Sequence, residues 1–207
     1  MLTGGLDDPS FPLEYNFQRE GLVKSAVCAS LFLLAASCAA QEASTAPHET
    51  GTFANGRYHH NLTGTEFTIP PDWRLTHQGR SGGGGEQATF ANGSLHVQAL
   101  VWLKPHTMAA AEIPEKLKYQ MAFKAGQRER VPGFQMLRNT IENRVVGGQA
   151  ALSVLSQYGP PEAKMDEYHT WIISERTHVY LSVRVPAGDF PNVKPDIEQI
   201  LATFLVP

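Results

Sequence analysis

The chain has 207 residues, 42% of them apolar, with 17 basic and 20 acidic side chains for a formal net charge of -3 at pH 7. So balanced a charge offers no field to recruit nucleic acid or an acidic membrane surface. Its two cysteines, Cys28 and Cys38, both lie near the N-terminus, so no disulfide framework is available to the rest of the chain.

Residues 1–22 carry Asp7, Asp8, Glu14 and Glu20 against Arg19. An acidic opening is the wrong charge for a secretory signal, so this stretch reads as a mis-assigned leader, with translation starting at Val23. Residues 23–40 read as a signal peptide: Lys24, an apolar run from Ala26 to Ala36 broken by Ser30, then small residues. The run of about 11 is short of the roughly 20 apolar residues a membrane span needs. Two exits are open. Signal peptidase I could use Cys38 and Ala40, or Ser37 and Ala39, and release a domain beginning near Gln41. Alternatively, Leu34 to Cys38 resembles a bacterial lipobox, displaced by one residue, which makes Cys38 the lipidation candidate. Either exit exports the protein, as a periplasmic, secreted or membrane-anchored product, with membrane contact only through an anchor at Cys38. Residues 41–55, polar and small, read as a flexible linker, and residues 56–207 as a single globular domain. Without the first 40 residues, 16 acids face 15 bases.

Arg57 to Leu62 and Thr65 to Pro70 predict two short strands around Thr63-Gly64, with Trp73 as a core anchor beyond Pro70-Pro71. Ser81 to Gln87 is glycine-rich, but no Lys-Ser or helix follows to make a phosphate cradle, so a hairpin loop is expected. Ala88 to Ala91 looks like strand, Asn92-Gly93 signals a turn, and Ser94 to Lys104 alternates with Leu95, Val97, Ala99, Val101 and Leu103 on one face. Leu100 and Trp102 make the other face apolar too, which predicts helices covering a sheet. Thr107 to Gly126 predicts a helix through Ile113, Leu117 and Met121, leaving Lys116, Lys118 and Lys124 for solvent. Phe134 to Asn139, Thr140 to Val146 and Ala150 to Tyr158 read as strands. Tyr168 to Ser174 and Thr177 to Val185 read as a hairpin in which Trp171 faces Tyr180 and His169 faces Ser182. Asn192 to Leu205 predicts a closing amphipathic helix through Val193, Ile197, Ile200, Leu201 and Phe204.

Catalytic signatures are missing from the exported part: there is no His-Glu-x-x-His, Gly-x-Ser-x-Gly or Ser-x-x-Lys, and no cysteine. No catalytic, cofactor-binding or metal-ligating residue is assigned, and no cofactor is expected. His59 and His60, adjacent on a strand, point to opposite faces and cannot share a metal. Asp166-Glu167 reads as a solvated turn rather than an acid–base pair. The aromatic pair with its flanking histidines, His169, Trp171, His178 and Tyr180, is either a small ligand patch or the floor beneath a packed helix.

The order of elements, with Phe67-Thr68-Ile69-Pro70-Pro71-Asp72-Trp73 after the first strands and Ile200-Leu201-Ala202-Thr203-Phe204 in the closing helix, resembles the PsbP-like superfamily, exported bacterial relatives of the photosystem II extrinsic subunit. The resemblance covers Tyr58 to Phe204. It implies an α+β fold, an antiparallel β-sheet flanked by helices as an α/β/α sandwich, and a binding or assembly role without chemistry. The expectation is an exported, non-enzymatic binding or envelope-associated module for an unknown protein or small ligand. The alternative is a metal-dependent hydrolase using histidines assembled by the fold.

Overall fold

The computed structural model describes residues 51–81, 84–93 and 97–207. The leader, the signal with Cys38, and Leu95 therefore lie outside the described residues. Among the described residues the chain runs through β1 (Gly51–Ala54), β2 (Arg57–His60), β3 (Glu66–Thr68), β4 (Arg74–Arg80), β5 (Glu86–Asn92) and β6 (Val97–Pro105). Helix α1 (Ile113–Arg128) follows, then β7 (Gln135–Met136), β8 (Glu142–Val146), β9 (Gln149–Tyr158), β10 (Met165–Ile173), β11 (Thr177–Pro186) and α2 (Phe190–Ala202). The main sheet has the order β4-β5-β6-β11-β10-β9, with β7 and β8 both pairing along β9, and β1-β2-β3 form a separate small sheet. Every pairing is antiparallel.

β10 and β11 are apolar or neutral on both faces over most of their length, a pattern that requires cover on each side. Their register pairs Trp171 with Tyr180, Thr170 with Leu181 and His169 with Ser182, as the alternation predicts. On one face Ile172, Val179, Leu181 and Val183 pack in a common core with Val193, Ile197, Ile200 and Leu201 of α2. The small sheet extends that cover through aromatic contacts: Phe67 stacks on Phe204 at 4.7 Å and meets Phe90 edge-on at 5.8 Å. Trp73 is buried in the same core and donates its indole N–H to Asp196 of α2 at 2.8 Å. On the other face Ile113 and Leu117 of α1 pack with Trp102, Leu152, Trp171, Ile173 and Tyr180.

Several boundaries move from the sequence expectation. The stretch 51–54, read as linker, is strand β1, joined to β2 by Asn55 and Gly56, both with positive φ (53° and 76°). That is the left-handed pair a two-residue hairpin turn needs, and an Asn-Gly sequence supplies it cheaply. β4 has no apolar alternation because it is an edge strand, mostly open to solvent. The strand expected over Phe134 to Asn139 shrinks to β7 and gives way to a 3-10 turn at Arg138–Thr140. There the Thr140 hydroxyl donates to the Leu137 carbonyl at 2.6 Å and accepts the Leu155 N–H at 2.9 Å, replacing ladder bonds with side-chain ones. α1 starts at Ile113 behind a 3-10 turn, and α2 ends at Ala202, so Phe204 fills the core from beyond the helix.

Of the glycine-rich segment, Gly85 has a definite packing role. It is buried flat against the Trp102 indole, and a Cβ there would come within 2.4 Å of the ring, while Ser81 accepts the Trp102 indole N–H at 2.5 Å. Gly85→Ala is therefore expected to displace Trp102 and destabilise the chain by about 1–3 kcal/mol, read as a lower urea midpoint with an unchanged slope. An unchanged midpoint would mean that the loop yields freely.

Candidate functional site

The sheet-facing stripe of α1 changes character along its length. It begins with Ile113 and Leu117 and continues, at the same helical spacing, with Gln120, Lys124 and Arg128. Lys124, expected in solvent, is instead half-buried with its ammonium 5.1 Å from the centre of the Tyr180 ring. Beneath this polar half of the helix the sheet presents Ser156 of β9, Glu167 and His169 of β10, and Tyr180, Ser182 and Arg184 of β11. They share one face because the register aligns Glu167 with Ser156 and Arg184, and His169 with Ser182.

Glu167 is the centre of the cluster and is fully buried. β10 begins at Met165, so Asp166-Glu167 is strand, and the solvated turn expected there is corrected. One Glu167 oxygen accepts the Ser182 hydroxyl at 2.6 Å and the Arg184 Nε–H at 3.1 Å; the other accepts from Arg128 at 3.4 Å. Asp166 points to the opposite face, where Gln157 at 2.7 Å and the Gly188 N–H at 3.1 Å donate to it. The two carboxylates thus lie on opposite sides of the sheet and form no acid–base pair.

His169, also fully buried, is bonded at both nitrogens, to Ser156 at 2.8 Å and to the Tyr180 hydroxyl at 2.8 Å. Since the Ser156 hydroxyl proton goes to the Glu167 carbonyl at 3.2 Å, Nε2 is the donor to Ser156 and Nδ1 accepts from Tyr180. The ring is neutral: burial chiefly lowers its pKa to about 3, Glu167 opposes this, and Lys124, Arg128 and Arg184 add to it. Burial works to raise the Glu167 carboxyl, but the Lys124, Arg184 and Arg128 charges around it outweigh burial and hold the group well below the usual carboxylate range. The Lys124 ammonium is lowered to about 8 by burial, against the pull of Glu167 and with the push of Arg128 and Arg184. Burial and the Glu167 charge raise the Tyr180 hydroxyl.

The four patch residues share a face, but as a floor. Trp171 and Tyr180, ring centroids 5.5 Å apart, lie under α1, and His169 stacks on both. His178 belongs to a different neighbourhood, edge-on to Trp102 at 5.2 Å, with a pKa lowered to about 3 by burial and by His106, Lys116 and Lys104. At the edge of the floor lies a small indentation, with room for about one water, lined by Gln120, Phe123, Lys124 and Gln127 of α1 and by Trp171 and Tyr180. His59 and His60 do face apart: His59 bonds Glu66 at 2.8 Å, while buried His60 bonds Thr63 at 2.7 Å and lies 2.8 Å from Glu86. Among the described residues no three His, Cys, Asp or Glu side chains are grouped to hold a metal. Nor, among them, is any helix long and apolar enough to cross a membrane.

No family model matches the chain, and no curated sequence matches it. Among solved structures it is similar to cyanobacterial PsbP (CyanoP) from Synechocystis sp. PCC 6803, at 13% identity and a TM-score of 0.56 over 77% of this chain and 99% of that one. It is also similar to LpqN of Mycobacterium tuberculosis, described as involved in cell envelope biogenesis, at 16% identity and a TM-score of 0.51 over 69% and 83% of the two chains. At these identities the likeness is one of fold: among the described residues the chain is an α+β protein with an antiparallel main sheet and two α-helices, matching a PsbP-like structural neighbour.

The buried histidines make stability depend on pH. Folded His60, His169 and His178 stay neutral down to about 4, 3 and 3, whereas in the unfolded chain each binds a proton near the ordinary pKa of about 6.5. The unfolded state therefore holds more protons below that pH, so this stabilisation is complete above about pH 6.5 and is lost on acidification, approaching about 1.4 kcal/mol per pH unit for each histidine. Glu167, with its depressed pKa, adds a loss in the same direction below the ordinary carboxylate range. Urea midpoints measured from pH 7.5 to 5 should fall, and His169→Gln should remove one histidine's share of the slope; a flat wild-type profile would contradict the neutral buried rings.

Proposed function

We propose that this chain is an exported, envelope-associated binding module without chemistry of its own. The observation that carries the reading is that the chemistry-bearing groups are tied to one another. Glu167 accepts from Ser182, Arg184 and Arg128, and both nitrogens of buried His169 are bonded. A general base must reach the proton it removes, and these groups are committed beneath α1. The signal-like stretch ending in Cys38 supports export, and the fold it shares with LpqN, a protein of cell envelope biogenesis, supports a place at the envelope. The metal-dependent hydrolase receives no such support, because His59, His60 and His169 each have protein partners in separate places.

The reading is tested with the full chain produced in a bacterial host. Wild type is expected in the membrane fraction with a mature mass beginning at an acylated Cys38, and Cys38→Ala is expected to lose that association. A soluble exported protein beginning near Gln41 would remove the anchor but keep the exported module. An unprocessed chain confined to the cytosol would overturn the reading.

A further inference from the structure

Beside the hairpin turn that joins β10 to β11, basic groups from separate elements converge on a buried ring. His178 of β11 is almost fully buried, and its Nε2 is shut off from solvent with no hydrogen-bond partner among the described residues. Lys104 of β6 stands directly opposite His178 in the sheet register, which puts the two side chains on one face about 5 Å apart at Cβ. His106 follows two residues later and donates its Nε2–H to the Ser174 carbonyl at 2.7 Å, a bond that holds its ring 6.2 Å from that of His178. Lys116 enters from the first turn of α1, whose Ile113 and Leu117 pack over Trp102, the ring that meets His178 edge-on.

Lys104, His106 and Lys116 are half-buried. Among the described residues the Lys116 ammonium has the face of the Tyr119 ring, 5.1 Å from its centre, and no acid pairs with it or with Lys104. The charges that act on His178 are those of His106, Lys116 and Lys104, with no carboxylate to offset them. The acids at the start of α1 are engaged elsewhere, Glu115 with Lys118 at 2.8 Å and Glu112 with the Ala109 N–H at 3.3 Å. Glu175 of the hairpin turn is exposed and is not among the charges felt by the ring. Like charges held partly out of water repel one another, and a cation in the first turn of a helix also opposes the helix dipole. A bound anion relieves both, and one of its oxygens can satisfy the unpaired buried nitrogen. Because the lysines are point-charge donors reaching in from different elements, an anion with several oxygens fits them better than a two-oxygen carboxylate.

We infer that this corner of the sheet is a binding site for a phosphate group, either free phosphate or the phosphate of a lipid headgroup. Lys104 and Lys116 take oxygens from two elements, His178 donates Nε2–H from the inner side, and His106 walls the site. Since Nε2 is closed off in the free protein, binding includes a small movement of the side chains around it. The inference gives a ligand class to the binding module proposed above and rests on that reading.

The test uses the full chain, isotopically labelled for backbone amide and histidine ring spectra, titrated at constant pH and ionic strength with inorganic phosphate and, as the control anion, acetate. Phosphate is expected to give saturable shifts of the His106 and His178 ring signals and of amides 104–106, 113–116 and 176–179, with an affinity on the order of millimolar. Acetate is expected to shift them less. Lys104→Gln and Lys116→Gln should each weaken phosphate about tenfold, while Lys118→Gln, on the exposed side of the helix, keeps the wild-type affinity. The amide spectrum itself reports that each variant is folded. Sedimentation with phosphatidylcholine vesicles, with and without phosphatidic acid, separates the two sources. Extra capture by phosphatidic acid that Lys104→Gln weakens assigns the headgroup, and phosphate binding without extra capture assigns the free ion. The site is overturned by the absence of saturable shifts at phosphate concentrations about ten times the expected dissociation constant, by shifts confined to other residues, by equal binding of acetate, or by unchanged affinity in both lysine variants. The envelope module would survive any of these, since its own test is fractionation and mature mass.

Discussion

The buried carboxylate of Glu167 is the interaction on which the α1 face depends. A charge fully removed from water is tolerated only when its hydrogen bonds are filled and opposite charge is close, and Glu167 meets both conditions from three elements at once. Ser182 and Arg184 come from β11 across the hairpin and Arg128 from the last turn of α1, and all three meet the carboxylate on β10. The carboxylate therefore ties the C-terminal half of α1 to the middle of the sheet, where the helix has run out of apolar side chains to bury. Ile113 and Leu117 hold the first half by area, and Gln120, Lys124 and Arg128 hold the second by charge and hydrogen bonding. A helix of such mixed inner face leaves a small indentation along the seam where its packing changes kind.

The two faces of the sheet are closed by different means. The α2 face is sealed by an apolar core running from Tyr58 and Phe67 through Phe90 to Ile197, Ile200 and Phe204. Its polar contacts include the Trp73–Asp196 bond, the bonds Arg144 makes to Glu198 and Tyr168, and the buried Ser153–Thr170 hydroxyl pair. A second buried ionisable cluster, His60 and Glu86 with Tyr58, joins the small sheet to β5, and burial lowers the His60 pKa to about 4 while raising the Tyr58 hydroxyl. The α1 face has a smaller apolar cluster and a larger share of buried polar groups.

Much of the architecture was legible in the residues. Where side chains alternate or repeat every three to four positions, burial on one face leaves a period that survives without coordinates. The hairpin register from Ser174 and Thr177, the double-faced apolarity of Leu100 and Trp102, and the helix stripes through Ile113 and Val193 were all of this kind. The Asn55-Gly56 pair is an equally plain turn signal, but the polar lead-in before it hides a strand of only four residues. β4 left no period to find, since an edge strand open to solvent has no apolar face.

The candidate site was only half visible. His169, Trp171 and Tyr180 could be placed on one face from the hairpin alone, because pairing parity is a local property of the chain. Glu167 was read as a turn residue, since two adjacent carboxylates look solvated when their partners lie 39 residues upstream in Arg128 and 17 downstream in Arg184. Lys124 falls at the same helical spacing as Ile113 and Leu117, but a lysine there reads as solvent-facing until the packing of α1 over Tyr180 brings it inside. The sequence by itself determined which segments become strands and helices and which side chains share a face, because those are properties of near neighbours. Only the tertiary structure decided which charges meet, because ion pairing across a sheet depends on where distant elements come to rest, and that carries no period along the chain.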